Sequence, residues 1–187
     1  MAIILASRSP RRQQLLRQLG VEFSIQTADI DETMFPGRPP EDEVARVSAA
    51  KARAVACAPD DIVISADTIV VADDTILGKP ADAADAARML RLLSGRAHTV
   101  MTGLSVRRGE DVSTTVVKTS VWFRQLTDGE IARYIATGEP MDKAGAYGIQ
   151  GLAGLFVERL DGDYFSVMGL PVCTLGEMLQ GCGVTLV

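Results

Sequence analysis

Near its start the chain reads Ala2-Ile3-Ile4-Leu5-Ala6-Ser7-Arg8-Ser9-Pro10-Arg11-Arg12. This pattern predicts a short apolar strand, a tight loop with two hydroxyl groups and the beginning of a helix. Ser9 is a natural N-cap, and Pro10 suits the first helical turn because that turn tolerates a missing N–H group. Gly20 is expected to end the helix. Its apolar face is formed by Leu15, Leu16 and Leu19.

The charges in this first turn are unusual. Arg11 and Arg12 lie where the helix macrodipole disfavours cations by roughly 0.3–1 kcal/mol each. An anionic ligand would explain them, because free backbone N–H groups, hydroxyls and guanidinium groups would meet at the same oxygens. The alternative is two solvated arginines on a surface helix. The whole cluster favours a phosphate site.

The composition predicts one globular domain over residues 1–187. Nearly half of the residues are apolar, yet no apolar run reaches the roughly 18 residues of a membrane span. No secretory signal is recognisable, and three cysteines without metal-ligand spacing are typical of reduced thiols, so we expect a cytoplasmic protein without a membrane partner. The net charge of −5 argues against a nucleic-acid partner but allows a small anionic ligand. A single histidine, His98, makes a Ser/His/Asp triad or a histidine-rich metal site improbable.

Further along the chain, strands and helices alternate early and a hairpin follows late. Helices are predicted over 41–57, from an Asp82 cap to Leu93, from a Thr127–Glu130 capping box to about Gly138, and from Pro171 onward. Strands are predicted over 62–71, 100–106, 112–123 and 155–159, with a turn at Asp73-Asp74. The mixture predicts an α/β protein with a mixed sheet. The break at 36–40 is too short to separate domains.

Lys51 stands out on the second predicted helix. It lies on the same stripe as Val44, Val47 and Val55, whereas Arg46 and Arg53 face the other way. A lysine on a core-facing stripe must either snorkel to the helix edge or pair with a carboxylate or a phosphate, because an unpaired buried ammonium is costly.

Asp67 is a negatively charged residue inside an apolar predicted strand, where an unpaired carboxylate is as unfavourable as an unpaired ammonium. It could form a buried structural ion pair with Lys51 or Lys79. Alternatively, it could bind a divalent cation or take a proton from water. An acidic cluster earlier in the chain is either a solvated loop or a group that helps to hold Mg²⁺ on substrate phosphates. The cluster comprises Asp29, Asp31 and Glu32.

Two loop segments carry further candidates. Lys79 lies in Gly78-Lys79-Pro80, between a strand and a helix, where loops present functional side chains. Residues 143–151 are rich in glycine, which permits either close approach to a ligand or tight turns. Gln150 in this segment has a donor and an acceptor and could read a base edge. Together the cations and carboxylates suit metal-assisted phosphate chemistry better than acyl or hydride transfer.

The same residues give the chain a resemblance to the Maf family. The resemblance runs in order over essentially the whole chain, through Ser7-Arg8-Ser9-Pro10-Arg11-Arg12, Ile30-Asp31-Glu32, Ala50-Lys51-Ala52, Ala66-Asp67-Thr68, Gly78-Lys79-Pro80, residues 144–151 and Gly169-Leu170-Pro171. It implies a nucleoside triphosphate pyrophosphatase with a mixed, twisted sheet flanked by helices, a cleft between two lobes and a relation to the inosine triphosphatase class. It also implies a homodimer.

The resemblance further implies a role for each matching residue. Within the family, the chain resembles the branch that prefers dTTP and UTP, whose selectivity positions are matched by Arg11, Thr68 and Gln150. The proton acceptor maps onto Asp67. Phosphate and metal ligands map onto Ser7, Arg12, Glu32, Lys51 and Lys79, with Mg²⁺ or Mn²⁺ held by Glu32 and Asp67.

Two other functions remain open from the sequence. One is a nucleotide-binding regulator, for instance of cell division, that senses a triphosphate without turning it over; Asp67 and Glu32 favour the enzyme instead. The other is a phosphotransferase, which the absence of a GxxxxGK[ST] phosphate-loop motif disfavours.

Overall fold

The computed structural model describes residues 1–27, 29–35 and 37–187; Ala28 and Pro36, the latter in the predicted break, lie outside this description. The strands of these described residues are β1 (Ile3–Leu5), β2 (Ser24–Ile25), β3 (Ile62–Ala72), β4 (Thr75–Leu77), β5 (Ala97–Arg108), β6 (Asp111–Phe123) and β7 (Val157–Asp161). The α-helices are α1 (Pro10–Gln18), α2 (Pro40–Ala54), α3 (Ala83–Leu93), α4 (Asp128–Ala136), α5 (Tyr164–Met168) and α6 (Val172–Gly181). Short 3₁₀ segments cover Glu139–Asp142, Ala144–Ala146 and Leu152–Phe156.

The strands form one mixed sheet in the order β2-β1-β3-β5-β6-β7, with β4 beside β3. Strand β1 pairs in parallel with β2 and β3, with Ile4 opposite Val63. Strands β4 and β7 pair antiparallel with β3 and β6. Only two residues separate β5 from β6, as an antiparallel hairpin requires. The predicted mixed α/β fold is therefore confirmed.

The chain divides into two compact units. The first unit contains residues 1–67, 102–117 and 169–187, and the second contains residues 68–101 and 118–168. The single domain expected over 1–187, and the expected cleft between two lobes, stay predictions.

In the first unit, the core forms around β1 and the start of β3. Every residue of β3 from Ile62 to Asp67 is buried, as expected for a strand that is covered on both faces. Helix α2 packs into this core through its apolar stripe. One cluster joins Ile4, Ala6, Ala52, Val55 and Val63.

In the second unit, both predicted helix caps are confirmed. The Asp82 carboxylate accepts a hydrogen bond from the Asp85 N–H at 2.8 Å. Thr127 and Glu130 form the reciprocal capping box at the start of α4. Such caps depend on residues three positions apart, which explains why the sequence predicts them well.

His98 belongs to the aromatic core of this unit. Its Nε2 lies 2.8 Å from the Tyr147 hydroxyl, and its ring meets Phe123 edge to face at 5.0 Å. Burial lowers the pKa of His98 from 6.5 to about 4. The only histidine of the chain is thus a neutral core residue near pH 7.

Several predicted boundaries are wrong by a few residues. Helix α2 ends at Ala54, short of the expected residue 57, because Val55 has an extended backbone. Strand β7 starts two residues later than expected because Leu152–Phe156 forms a 3₁₀ turn. Within residues 1–27, 29–35 and 37–187, no helix has the length and apolar character needed to cross a membrane.

Candidate active site

The loop between β1 and α1 is organised by Ser7. Its hydroxyl accepts a hydrogen bond from the Ser9 N–H at 3.2 Å, and the residue is 8% exposed. Ser9 occupies the N-cap position and Pro10 the next one, as predicted, but the Ser9 side chain makes no capping hydrogen bond. The predicted N-cap position of Ser9 is therefore confirmed, but without the side-chain hydrogen bond that such a residue usually makes.

Arg12 is fixed in the first turn of α1 by two acceptors. Its Nε donates to the Gly169 carbonyl at 2.7 Å, and its Nη1 donates to Ser7 Oγ at 3.1 Å. Burial lowers the pKa of this guanidinium, while the charges of Asp67 and Glu32 act in the opposite direction. Arg12 is thus not a solvated surface arginine; its neighbour Arg11 is partly exposed.

Lys51 lies between two carboxylates. Its Nζ is 2.8 Å from Asp67 Oδ1 and 3.0 Å from Glu32 Oε1. The Lys51 and Asp67 side chains are each 13% exposed, whereas Glu32 is 60% exposed. The alternative of pairing with a carboxylate is confirmed for Lys51, and Lys51 is the partner of Asp67 that the structure provides.

Polar contacts deep in the first unit fix α2 against the sheet and so set the position of Lys51. The Ser65 hydroxyl on β3 donates to the Ser48 carbonyl at 2.7 Å, and Ser48 Oγ lies 2.9 Å from Ser105 Oγ. At Gly103 a Cβ atom would lie 2.5 Å from the Val44 carbonyl oxygen. The glycine therefore lets α2 approach β5 closely. Sequence reasoning missed these residues, because their partners are far apart in the chain.

The remaining predicted site residues lie in the second unit. Thr68 follows Asp67 directly and is partly exposed, and Lys79 and Gln150 are exposed. The two loops that carry Lys79 and Gln150 are joined by a hydrogen bond from the Gly145 N–H to the Gly78 carbonyl at 3.0 Å. The structure thus gathers one group of site residues in the first unit, and in the second unit it places Thr68 on β3 and Lys79 and Gln150 on joined loops. The first group is Ser7, Arg12, Glu32, Lys51 and Asp67.

Two residues that the sequence did not single out hold the Gln150 loop. Glu139 accepts hydrogen bonds from the Leu152 N–H at 3.1 Å and from the Tyr134 hydroxyl at 2.9 Å. Burial, and then the bond to Glu139, raises the pKa of Tyr134, so this phenol stays a donor. A Cβ atom at Gly151 would lie 2.2 Å from Glu139 Oε1. The loop therefore wraps closely around one carboxylate.

The donor set of Glu32 and Asp67 suits a hard divalent cation. Mg²⁺ is usually bound by one or two carboxylates together with substrate phosphates. In this structure the positive charge between the two carboxylates is the Lys51 ammonium. Residues 1–27, 29–35 and 37–187 contain no cluster of three or more His, Cys, Asp and Glu residues that could hold a metal ion, so a cation at Glu32 and Asp67 would complete its coordination with water or with substrate phosphates.

Fixed cations, a hydroxyl and paired carboxylates on a mixed α/β fold are the groups expected of a protein that handles phosphorylated small molecules. The family model described as "Maf-like protein" matches residues 2–182. The chain belongs to the Maf family.

Curated relatives match over nearly the whole chain. A "dTTP/UTP pyrophosphatase" of Anaeromyxobacter dehalogenans (strain 2CP-1) is 50% identical over 98% of this chain and 95% of the relative. A protein of the same description from Moorella thermoacetica is 50% identical over 97% and 95%. Another, from Geobacillus sp. (strain WCH70), is 53% identical over 91% and 92%.

A solved structure of a nucleoside-triphosphatase, also titled dITP/XTP pyrophosphatase, from Mycobacterium abscessus matches at 15% identity. The match covers 66% of this chain and 73% of that one, with a TM-score of 0.41. That score is too low to support a statement about this chain.

Proposed function

We propose that the chain hydrolyses dTTP and UTP to the nucleoside monophosphate and pyrophosphate. Relatives described as dTTP/UTP pyrophosphatases, at about half identity over nearly the full length, support this activity. The observation that carries it in this chain is Lys51, which lies between Asp67 and Glu32 while Arg12 and Ser7 share a hydrogen bond in the same unit.

In the proposed reaction, Asp67 accepts a proton from a water molecule whose oxygen attacks the α-phosphorus. A bond forms between that oxygen and the phosphorus, and the bond from the α-phosphorus to the oxygen that bridges to the β-phosphorus breaks. Pyrophosphate leaves with the electron pair of the broken bond. General-base assistance of this kind contributes about 10²–10⁴-fold to the rate. The contact with Lys51 at 2.8 Å orients the Asp67 carboxylate for this role.

The cationic side chains bind the triphosphate and stabilise the charge that grows on the leaving group. Arg12 presents a guanidinium whose position is already fixed by Gly169 and Ser7, so little ordering is needed when substrate binds. Lys51 and Lys79 supply further positive charge, the first from a helix and the second from a loop.

A divalent cation, Mg²⁺ or Mn²⁺, is the proposed cofactor. Glu32 and Asp67 would hold it, since both are hard oxygen ligands that already share one cation. When bound, it would neutralise triphosphate charge and orient the phosphates.

The base is read by Gln150, with Arg11 and Thr68 as the other selectivity positions. The Gln150 amide has both a donor and an acceptor, which match the N3–H and carbonyl groups of uracil and thymine. A wrong base would lose this two-point contact, and a good bidentate base contact contributes roughly 1–3 kcal/mol of discrimination.

Two further properties are proposed from the family resemblance. The chain would form a homodimer, and it would act in the cytoplasm, where the three free cysteines would stay reduced. Size-exclusion chromatography with light scattering tests the first, and fractionation of the source cells tests the second.

The deciding experiment is product analysis with a panel of nucleoside triphosphates in the presence of Mg²⁺ or Mn²⁺. Pyrophosphate and monophosphate released from dTTP and UTP, with little from purine nucleotides, would support the proposal. Binding without any turnover would favour the regulator instead. Labelled phosphate on an acceptor, in place of free pyrophosphate, would favour a phosphotransferase.

A further inference from the structure

Glu43 is a fully buried carboxylate in the first turn of α2. Its side chain is 0% exposed, and none of the proposed catalytic steps uses it. A buried carboxylate is strongly unfavourable unless charged and hydrogen-bonding partners surround it. The partners of Glu43 therefore indicate what the residue is for.

All of these partners lie within a short stretch around the carboxylate. Arg46 Nη2 donates to Glu43 Oε2 at 2.8 Å, and Arg38 Nη1 lies 3.5 Å from Oε1. The third partner belongs to the loop that precedes the helix: the Phe35 N–H donates to Oε2 at 3.0 Å. The bonds from Arg46 and then from Phe35 hold the pKa of Glu43 below its ordinary value. Glu43 thus fixes both a neighbouring arginine and the backbone of a loop.

Arg46 makes a second attachment to the same loop. The nitrogen that binds Glu43 also donates to the Thr33 carbonyl at 2.7 Å. The Phe35 ring lies against two guanidinium groups, 4.9 Å from that of Arg46 and 5.0 Å from that of Arg38. Helix α2 therefore holds the loop at two backbone positions, Thr33 and Phe35, and at one aromatic ring.

The loop held in this way carries Glu32, which precedes Thr33. Glu32 reaches back to the same helix, where its carboxylate contacts Lys51 at 3.0 Å. Glu32 is otherwise well exposed, so its own packing does little to fix it. The attachment at Thr33 is one residue from the carboxylate that must be placed.

We propose that Glu43 and Arg46 are positioning residues that hold Glu32 beside Lys51 and Asp67 and thereby set the affinity of the site for a divalent cation. This inference rests on the proposed function, in which Glu32 and Asp67 hold Mg²⁺ or Mn²⁺. Groups that orient a metal ligand in this indirect way typically change metal affinity by about 10–100-fold when they are lost.

The test uses the full-length chain without nucleotide and Mn²⁺ as the probe, with binding followed by electron paramagnetic resonance. Arg46→Ala is expected to weaken Mn²⁺ binding by about tenfold. Arg46→Lys keeps the positive charge but loses the planar guanidinium group with its several N–H donors. It is therefore expected to retain only part of the Mn²⁺ affinity. Arg53→Ala is the matched control, because Arg53 is an exposed arginine on the same helix.

A second readout follows the loop itself by amide hydrogen exchange. The Phe35 N–H is expected to lose protection in Glu43→Gln, which keeps the size of the side chain but removes its charge, and in Arg46→Ala. Thermal unfolding identifies any variant that fails to fold. If Arg46→Ala does not fold, Mn²⁺ affinity and Phe35 protection are compared between the wild type and the milder variants Arg46→Lys and Glu43→Gln.

Unchanged Mn²⁺ affinity and unchanged Phe35 protection in a folded Arg46→Ala variant would overturn the inference, as would a wild-type chain that turns over dTTP but binds no Mn²⁺. Weaker Mn²⁺ binding in the variant, combined with a wild type that turns over no nucleotide, would support the positioning role and reject the proposed function. The positioning role and the proposed function can therefore be rejected independently of each other.

Discussion

Helix α2 of the first unit and the loop 143–152 of the second unit hold their candidate site residues in opposite ways. Lys51 on the helix is 13% exposed and already balanced by two carboxylates. Gln150 on the loop is exposed, and the structure fixes its neighbours instead: Glu139 accepts the Leu152 N–H, and the Gly148 N–H donates to the Tyr134 hydroxyl at 3.3 Å. One region fixes charges directly, and the other fixes a backbone that presents a side chain.

This difference suggests a division of labour. Groups that must balance changing charge need fixed positions and a low-dielectric surrounding, which a packed helix and a buried strand provide. A residue that hydrogen-bonds to the edge of a nucleotide base must remain accessible until the nucleotide binds. A surface loop whose backbone is fixed by hydrogen bonds meets this need. We therefore expect substitutions of Lys51 and its partner Asp67 to change turnover, and substitutions around Gln150 to change selectivity.

The largest expected effect is from Asp67→Asn in the first unit. The amide keeps the shape of the carboxylate but cannot accept a proton from water, so kcat for dTTP is expected to fall by about 10²–10⁴-fold with a smaller change in KM. Steady-state kinetics with Asp60→Asn as the control measures this, since Asp60 is 81% exposed. Near-full turnover of Asp67→Asn would show that another group takes the proton.

Acid pH is expected to weaken the second unit through its core histidine. The pKa of His98 is about 4 in the folded chain and 6.5 when unfolded, so the unfolded chain binds more protons between these values. The stability from keeping His98 neutral is fully present above about pH 6.5 and is lost as the pH falls toward 4, by about 3 kcal/mol. Urea unfolding at several pH values measures the loss, and His98→Gln should have a flatter profile. Parallel profiles for the two proteins would contradict the assignment.

A change of base selectivity is expected from Gln150→Glu. The carboxylate has only acceptors, so the N3–carbonyl edge of a pyrimidine loses its matching donor. The ratio of kcat/KM for dTTP over dGTP is expected to fall by about 10–100-fold, in line with roughly 1–3 kcal/mol for a bidentate base contact. Gln180→Glu, on an exposed position of α6, is the control. An unchanged ratio would remove Gln150 from base reading.

Patterns with local causes made much of this fold predictable. The strand, loop and helix at the start of the chain and the Thr127–Glu130 capping box depend on neighbours within a few residues, and the structure contains them. Lys51 and Asp67 could be singled out in advance because each is a charge in an apolar pattern, and such charges need partners. The sequence left the partner of Asp67 open between Lys51 and Lys79.

The features that the sequence did not reveal depend on how loops fold back onto the helices. Glu43 stands in the first turn of a helix, where an acidic residue is ordinary and favourable at the surface. Arg46 lies one helical turn away, but the burial of Glu43 also depends on Arg38 and the Phe35 backbone, and the helical period does not encode how that loop folds. Tyr134 is 14 residues from Gly148 along the chain, so its role in holding the loop becomes visible only when the chain is folded.

The smallest effect, and the sharpest separation of the two regions, is expected from Glu139→Ala. Without this carboxylate the Tyr134 hydroxyl and the Leu152 N–H lose their acceptor, which is expected to lower the free energy of unfolding by about 1–2 kcal/mol. Because the loop around Gln150 loosens while the first unit is unchanged, base selectivity should fall less than in Gln150→Glu, and kcat for saturating dTTP should stay near that of the wild type. Glu139→Gln keeps one acceptor oxygen, so its free energy of unfolding should lie between those of the wild type and Glu139→Ala. The control is Glu158→Ala, since Glu158 is exposed on β7. The proposed division would be contradicted if Glu139→Ala lowered kcat as far as Asp67→Asn does and left base selectivity unchanged. Turnover would then depend on the loop 143–152 as well as on the residues around Lys51.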